Sequence, residues 1–211
     1  MSFYSAFLVG TRGSSLETDL VTALVATLSG WDPGLCEFLA SFDLAELIAP
    51  RERLSSFAQQ RGWNHDCSVK VDLSFWGRGF WQTVDGKPMF HTSLSSKDTD
   101  IDRLIWKAEV GVLLPYIEEQ RQILLDRYAS YLTVPFVTTQ GILIEDVRDL
   151  EIGMIQYQLK DCSTIPAETK AVITDLKKAR NSLSHLEPIS PTVLLSICEQ
   201  ASFDFPSFNR R

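Results

Sequence analysis

The chain has 211 residues, 45% of them hydrophobic and 22% charged, with a formal net charge of −7. That length supports one domain with a sizeable core or two small ones, and the composition is ordinary for a soluble globular protein. No apolar run approaches the ~20 residues of a membrane span, and the acidic balance gives no global attraction to nucleic acid, so RNA binding has to come from a local patch.

The first residues, "MSFYSAFLVGTRGSS", contain an apolar patch but no basic leader and no clear cleavage site, which argues against a signal peptide. "GTRGSS" before a helix can offer backbone N–H groups to an anion, yet it lacks the lysine of a P-loop and reads as an ordinary helix start. "SSLETDLVTALVATLSG" carries a capping box, Ser14 with Glu17, and stops at Gly30. "DPGLCEFLASFDLAELIAP" is expected to form one second helix ending before Pro50, and "RERLSSFAQQRG" a short third.

The texture changes from Trp63 to His91, where Trp63, Trp76 and Trp81 stand among Gly77, Gly79, Gly86 and Pro88. "VDGKP" reads as a turn, so a small β-hairpin or ordered loop is expected. Phe75, Trp76, Phe80 and Trp81 are expected in the core, with a partner surface as the alternative. "NHDC" (His65, Asp66, Cys67) has metal-capable side chains, but immediate neighbours chelate poorly and no second cluster completes a site. No Ser/His/Asp or Cys/His constellation is legible.

"SLSSKDTD" marks a boundary between residues 1–95 and 96–211. A long helical stretch follows, "TDIDRLIWKAEVGVLLPYIEEQRQILLDRYASYL", with Ile105, Val112, Tyr116, Ile123, Leu124, Tyr128 and Tyr131 near helical spacing. Pro115 is expected to kink or split it. Asp102, Arg103, Glu118, Glu119 and Arg121 read as a solvated face from which an acidic group can approach the C-terminal motif. "TVPFVTTQGILI" is a partly extended connector, "EDVRDLEIGMIQYQLKD" a helix, "PAETKAVITDLKKARNSLSH" another with Pro166 at its first turn, and "SPTVLLSICEQA" the last. The fold class is thus mainly α: a C-terminal helical bundle, a helical N-terminal region and a small irregular or hairpin insert. Cys36, Cys67, Cys162 and Cys198 lack C-x-x-C spacing, which fits reduced, buried thiols in a cytoplasmic protein rather than a zinc site.

Chemistry concentrates in "KKARNSLSHLEPIS", residues 177–190. At ~100° per residue, Val172, Leu176, Ala179 and Leu183 share one stripe. Asn181 and His185, four apart, stack on the opposite side, and Arg180 with Ser184 lies between. Asn and Ser compete with the backbone in helix interiors, so helix propensity did not select them.

Arg180-Asn181-Ser182-Leu183-Ser184-His185 resembles the signature of the HEPN superfamily, an Arg followed four to six residues later by His, most often with Asn directly after the Arg. With 3 His and 3 Asn in the chain, this strict form arises by chance in roughly two or three of a thousand such chains. The likeness covers about residues 99–203. It implies an α-helical bundle that dimerises with its two motifs facing each other and, in active members, a metal-independent endoribonuclease.

On that resemblance Arg180, Asn181 and His185 are the catalytic residues, and Lys177, Lys178 and Ser184 the substrate-binding ones. No cofactor and no metal are implied. Cleavage without metal needs a base for the 2′-OH and a cation for the charge gathering on phosphorus; neutral His185 and forked Arg180 suit those tasks, with Asn181 orienting the His or touching the phosphate. The products are a 2′,3′-cyclic phosphate and a 5′-OH. The stretch "DIDRLIWKAEVGVLLPYIEEQR … DLEIGMIQYQL", within residues 100–159, also resembles effector or sensor modules of prokaryotic conflict systems built around STAND-type NTPases, which makes such an NTPase an expected partner beside RNA and a second copy, with no membrane involved. Two alternatives stand beside the enzyme: a merely solvated polar helix face, and a HEPN-like module that binds a partner without catalysis.

Overall fold

In the computed structural model the described residues are 15–63, 79–84, 86–95 and 97–201. They form eight α-helices and two two-stranded antiparallel hairpins, a mainly α fold. The chain divides into two compact units, residues 1–109 and 110–211.

In the first unit α1 (Ser15–Ser29) buries Leu20, Leu24 and Leu28, spaced four apart, and Gly30 ends it in the left-handed region with φ +57°. Ser14 of the expected capping box lies outside the described residues. Next come α2 (Pro33–Leu39) and α3 (Leu44–Leu47), where one continuous helix was expected. Asp43 causes the break. Its carboxylate accepts the Glu46 N–H while the Glu46 side chain accepts the Asp43 N–H, a complete capping box that starts a new helix. Helix α4 (Arg51–Gln60) follows as expected, burying Leu54, Phe57 and Ala58. Strands β1 (Trp81–Val84) and β2 (Lys87–Phe90) form the expected hairpin, with Gly86 at φ +75° in its turn. Trp63 and Phe80 are both buried and meet edge to face at 5.2 Å, so Phe80 is core; Phe75, Trp76 and the His65-Asp66-Cys67 run lie outside the described residues. A 3-10 turn (Thr92–Leu94) leads to α5 (Asp98–Tyr128).

Pro115 lies inside α5 without splitting it. Proline removes one intrahelical bond, the one to the carbonyl four residues back. That carbonyl belongs to Gly111, which is exposed like Pro115 itself, so water can serve it.

In the second unit the last four turns of α5 bury Leu113, Ile117, Leu124, Leu125 and Tyr128. The connector folds into a short hairpin, β3 (Phe136–Val137) with β4 (Leu143–Ile144). Residues 145–151, expected to be helical, instead make a 3-10 turn (Val147–Asp149), because the Asp146 carboxylate caps the Arg148 N–H. Helix α6 (Ile152–Leu159) packs on α7 (Ala167–Ser184), and α7 on α8 (Pro191–Ala201). The buried stripe of α7 is Thr169, Ile173, Leu176, Ala179 and Leu183, one residue displaced at its start from the expected Val172. Each fully buried Leu or Ile contributes about 1.5–3 kcal/mol, so this stripe fixes which way the rest of α7 faces. Among the described residues Cys36, Cys162 and Cys198 are in no disulfide; Cys198 is buried, whereas Cys36 and Cys162 are only half-buried.

Candidate functional site

The last turn of α7 closes with a Schellman arrangement. The Glu187 N–H reaches the Ser182 carbonyl (3.0 Å), the Leu186 N–H reaches that of Leu183 (3.3 Å), and His185 is the C-cap. Leu186 takes the left-handed position at φ 62°, which normally favours glycine. It is also 68% exposed. A bulky apolar side chain is therefore held outward, at a backbone cost, directly beside His185.

The core stripe sends Asn181 and His185 outward. Both are exposed, and neither side chain has a hydrogen-bond or ionic partner among the described residues. Arg180 is half-buried at the core edge, and its Nη2 donates to Glu151 Oε2 at 2.7 Å. Ser184 Oγ donates to the Arg180 carbonyl at 2.8 Å. Of the motif, then, the fold brings Arg180 and Ser184 together through backbone and leaves Asn181 and His185 free. Arg180 and His185 diverge by about 140° around the helix axis, since five residues at ~100° each separate them.

The two lysines also part. Lys177 Nζ donates to Gln156 Oε1 (2.8 Å) on α6, whose amide in turn donates to Thr174 Oγ1 (2.8 Å). Lys178 pairs with Asp175 (3.2 Å), which accepts Ser196 Oγ from α8 as well. They do not form one basic patch.

Apart from Glu118 and Arg121, the residues that accompany Arg180 are not apparent from sequence. A groove of about 370 Å³ is lined by Glu118, Arg121, Arg148, Asp149, Glu151 and Arg180, above Ile117 and Ile152. Arg121 Nη1 donates to the carbonyls of Arg148 (2.8 Å) and Leu150 (3.0 Å), clasping the segment that carries Glu151. Its remaining nitrogens grip Glu118, whose carboxyl is held below the usual range by that bond. Three cations and three anions line the groove, which therefore carries no net charge. Glu118 belongs to the acidic face expected to approach the motif, and it lines this groove. Among the described residues no group of three or more His, Cys, Asp or Glu could hold a metal ion. No helix of the described residues is long and apolar enough to cross a membrane. Compared with protein-family models, curated proteins and solved structures, the chain matches none.

Proposed function

We propose that this chain is a metal-independent endoribonuclease of HEPN type that acts as a homodimer across the end of α7. The observation that carries the reading is the free, outward Asn181–His185 pair, on a helix face that no other described element covers. His185 takes the 2′-OH proton, Arg180 holds the phosphate oxygens, and Asn181 orients the imidazole or the phosphate. Lys177, Lys178 and Ser184 are the substrate-side groups.

The ~140° divergence of Arg180 and His185 makes a single chain a poor catalyst, and a second copy supplies the missing direction. Leu186 favours that arrangement: an exposed leucine at a position suited to glycine gains from an apolar surface opposite it. The work of such an enzyme is prokaryotic defence in the cytoplasm, under a STAND-type NTPase. End-group analysis tests the chemistry, because this mechanism leaves 2′,3′-cyclic phosphates and 5′-OH ends.

One observation favours a second reading. The Arg180 guanidinium is already occupied by Glu151. A HEPN-like module that binds a protein partner through the same face, without cutting RNA, needs no free arginine. Light scattering at micromolar concentration and a cleavage assay separate the two: the enzyme is dimeric and cuts, and the module does not cut.

A further inference from the structure

The first unit holds a second constellation, assembled from α2, the 3-10 turn and α4. His91 is 1% exposed. Its Nε2 lies 3.1 Å from Asp32 Oδ2, and its Nδ1 lies 2.7 Å from Ser93 Oγ. The Ser93 backbone N–H also donates to Nδ1, at 3.3 Å, which fixes the tautomer: Nδ1 carries the lone pair and Nε2 the proton given to Asp32. Asp32 is held as a carboxylate by the N–H groups of Gly34 and Leu35 and by Arg61 Nη1 at 2.7 Å. Besides Asp32 and Arg61, the imidazole meets the rings of Phe57 (stacked, 5.9 Å), Trp63 (4.9 Å) and Trp31 (5.8 Å). The ring cannot turn without losing both polar partners in an aromatic cage.

Ser93 lines a cavity of about 390 Å³. Leu54, Ala58, Trp63 and Ile101 supply its apolar wall, and Arg51, Ser55 and Gln59 its polar one. That is the lower end of the size range for small-molecule pockets. We propose that Ser93 is the nucleophile of a carboxylester hydrolase site, with His91 as its base and Asp32 as a positioning residue, and with short acyl esters as the substrate class. The ring nitrogens are exchanged relative to the more familiar serine triad, but either nitrogen serves as base when the other is held protonated.

In the first step Ser93 Oγ attacks the ester carbonyl carbon and its proton passes to His91 Nδ1. The imidazolium so formed is balanced by Asp32. Collapse of the tetrahedral adduct breaks the ester C–O bond, and the leaving alkoxide takes the proton from His91. Water then attacks the acyl-serine with the same base, releasing the carboxylic acid and restoring Ser93. Arg51, ion-paired with Asp98, lines the same cavity and offers a cation for the negative charge that develops on the acyl oxygen.

The test is covalent labelling of the full chain with a fluorophosphonate, read by intact mass and peptide mapping. The expected result is one adduct on Ser93, none in Ser93→Ala with an unchanged circular dichroism spectrum, and slow p-nitrophenyl butyrate hydrolysis lost in the same variant. Asp32→Asn keeps a capping oxygen for Gly34 and Leu35 but removes the charge. It should slow labelling by about 100-fold or more and move the acid limb of the labelling rate to lower pH, a shift that a purely structural Asp32 would not cause. Absence of any adduct on Ser93 in the folded wild type, or labelling confined to another serine, overturns the proposal whatever Asp32→Asn does.

Discussion

Arg180 and Glu151 lie 29 residues apart and meet at 2.7 Å, so the motif's one guanidinium is held by a carboxylate of its own chain. The pair is 39% and 55% exposed on its two side chains. Exposed pairs contribute about 0–1 kcal/mol, whereas a phosphate forked by arginine offers a stronger, charge-assisted contact. Glu151→Gln should therefore leave thermal stability nearly unchanged and tighten RNA binding several-fold in a fluorescence-anisotropy titration at fixed salt. Unchanged affinity would remove Arg180 from the RNA-binding surface.

Leu186 supplies a prediction with opposite signs on two measurements. Leu186→Gly relieves the left-handed strain and should raise stability by about 1 kcal/mol. The same change deletes the exposed side chain beside His185, so the dimer should weaken in a dilution series. A variant that is more stable and equally dimeric would place the interface elsewhere.

Gly34 reads out the Asp32–Arg61 pairing. A Cβ there would stand 2.5 Å from Arg61 Nη2, so the guanidinium must leave its place over the Phe57 and Trp63 rings. Ala ordinarily gains up to ~1 kcal/mol over Gly in a helix; the lost ion pair and ring contacts offset a similar amount. Gly34→Ala should be neutral or destabilising in the wild type but stabilising by about 0.5–1 kcal/mol in an Arg61→Ala background. Equal effects in both backgrounds would mean that Arg61 does not crowd Gly34.

The same cluster sets a pH dependence. Burial pushes the His91 imidazole below its ordinary range, Asp32 raises it and Arg61 lowers it further, with a net depression. Burial raises the Asp32 carboxyl, but the Gly34 and Leu35 N–H groups with Arg61 and His91 outweigh it and hold it low. Both groups are depressed on folding, so the stability they contribute is present above their unfolded values. It is lost as pH falls, first below about 6.5 for His91 and then below about 3.9 for Asp32. Urea melts of wild type between pH 8 and 4 should show this fall, and a flat profile between pH 7 and 5 would contradict the buried, neutral His91.

Much of this was legible from residue order. The limits of α7 follow from Pro166 and Pro188, and its core stripe from Leu176, Ala179 and Leu183. In α5 spacing points to Val112 and Tyr116 where the structure buries Leu113 and Ile117, because apolar residues stand side by side there and spacing alone cannot choose between them. Asp43 reads as helix interior because the continuous apolar pattern around it outweighs the capping-box signal of Glu46 three residues later. The Glu151–Arg180 contact and the Asp32–His91–Ser93 cluster join segments 29 and 59 residues apart, and local periodicity carries no information on such pairings.

The most direct test of the central claim is incubation of the purified chain with mixed RNAs in EDTA, wild type beside His185→Ala, at a concentration that enforces dimerisation. His185 is an exposed C-cap whose cap bonds are made by the backbone, so the alanine variant should fold as the wild type does. The account predicts chelator-insensitive cleavage in the wild type and a loss of roughly 10²–10⁴-fold in the variant. Cleavage that persists in His185→Ala, or that EDTA abolishes in the wild type, would contradict it.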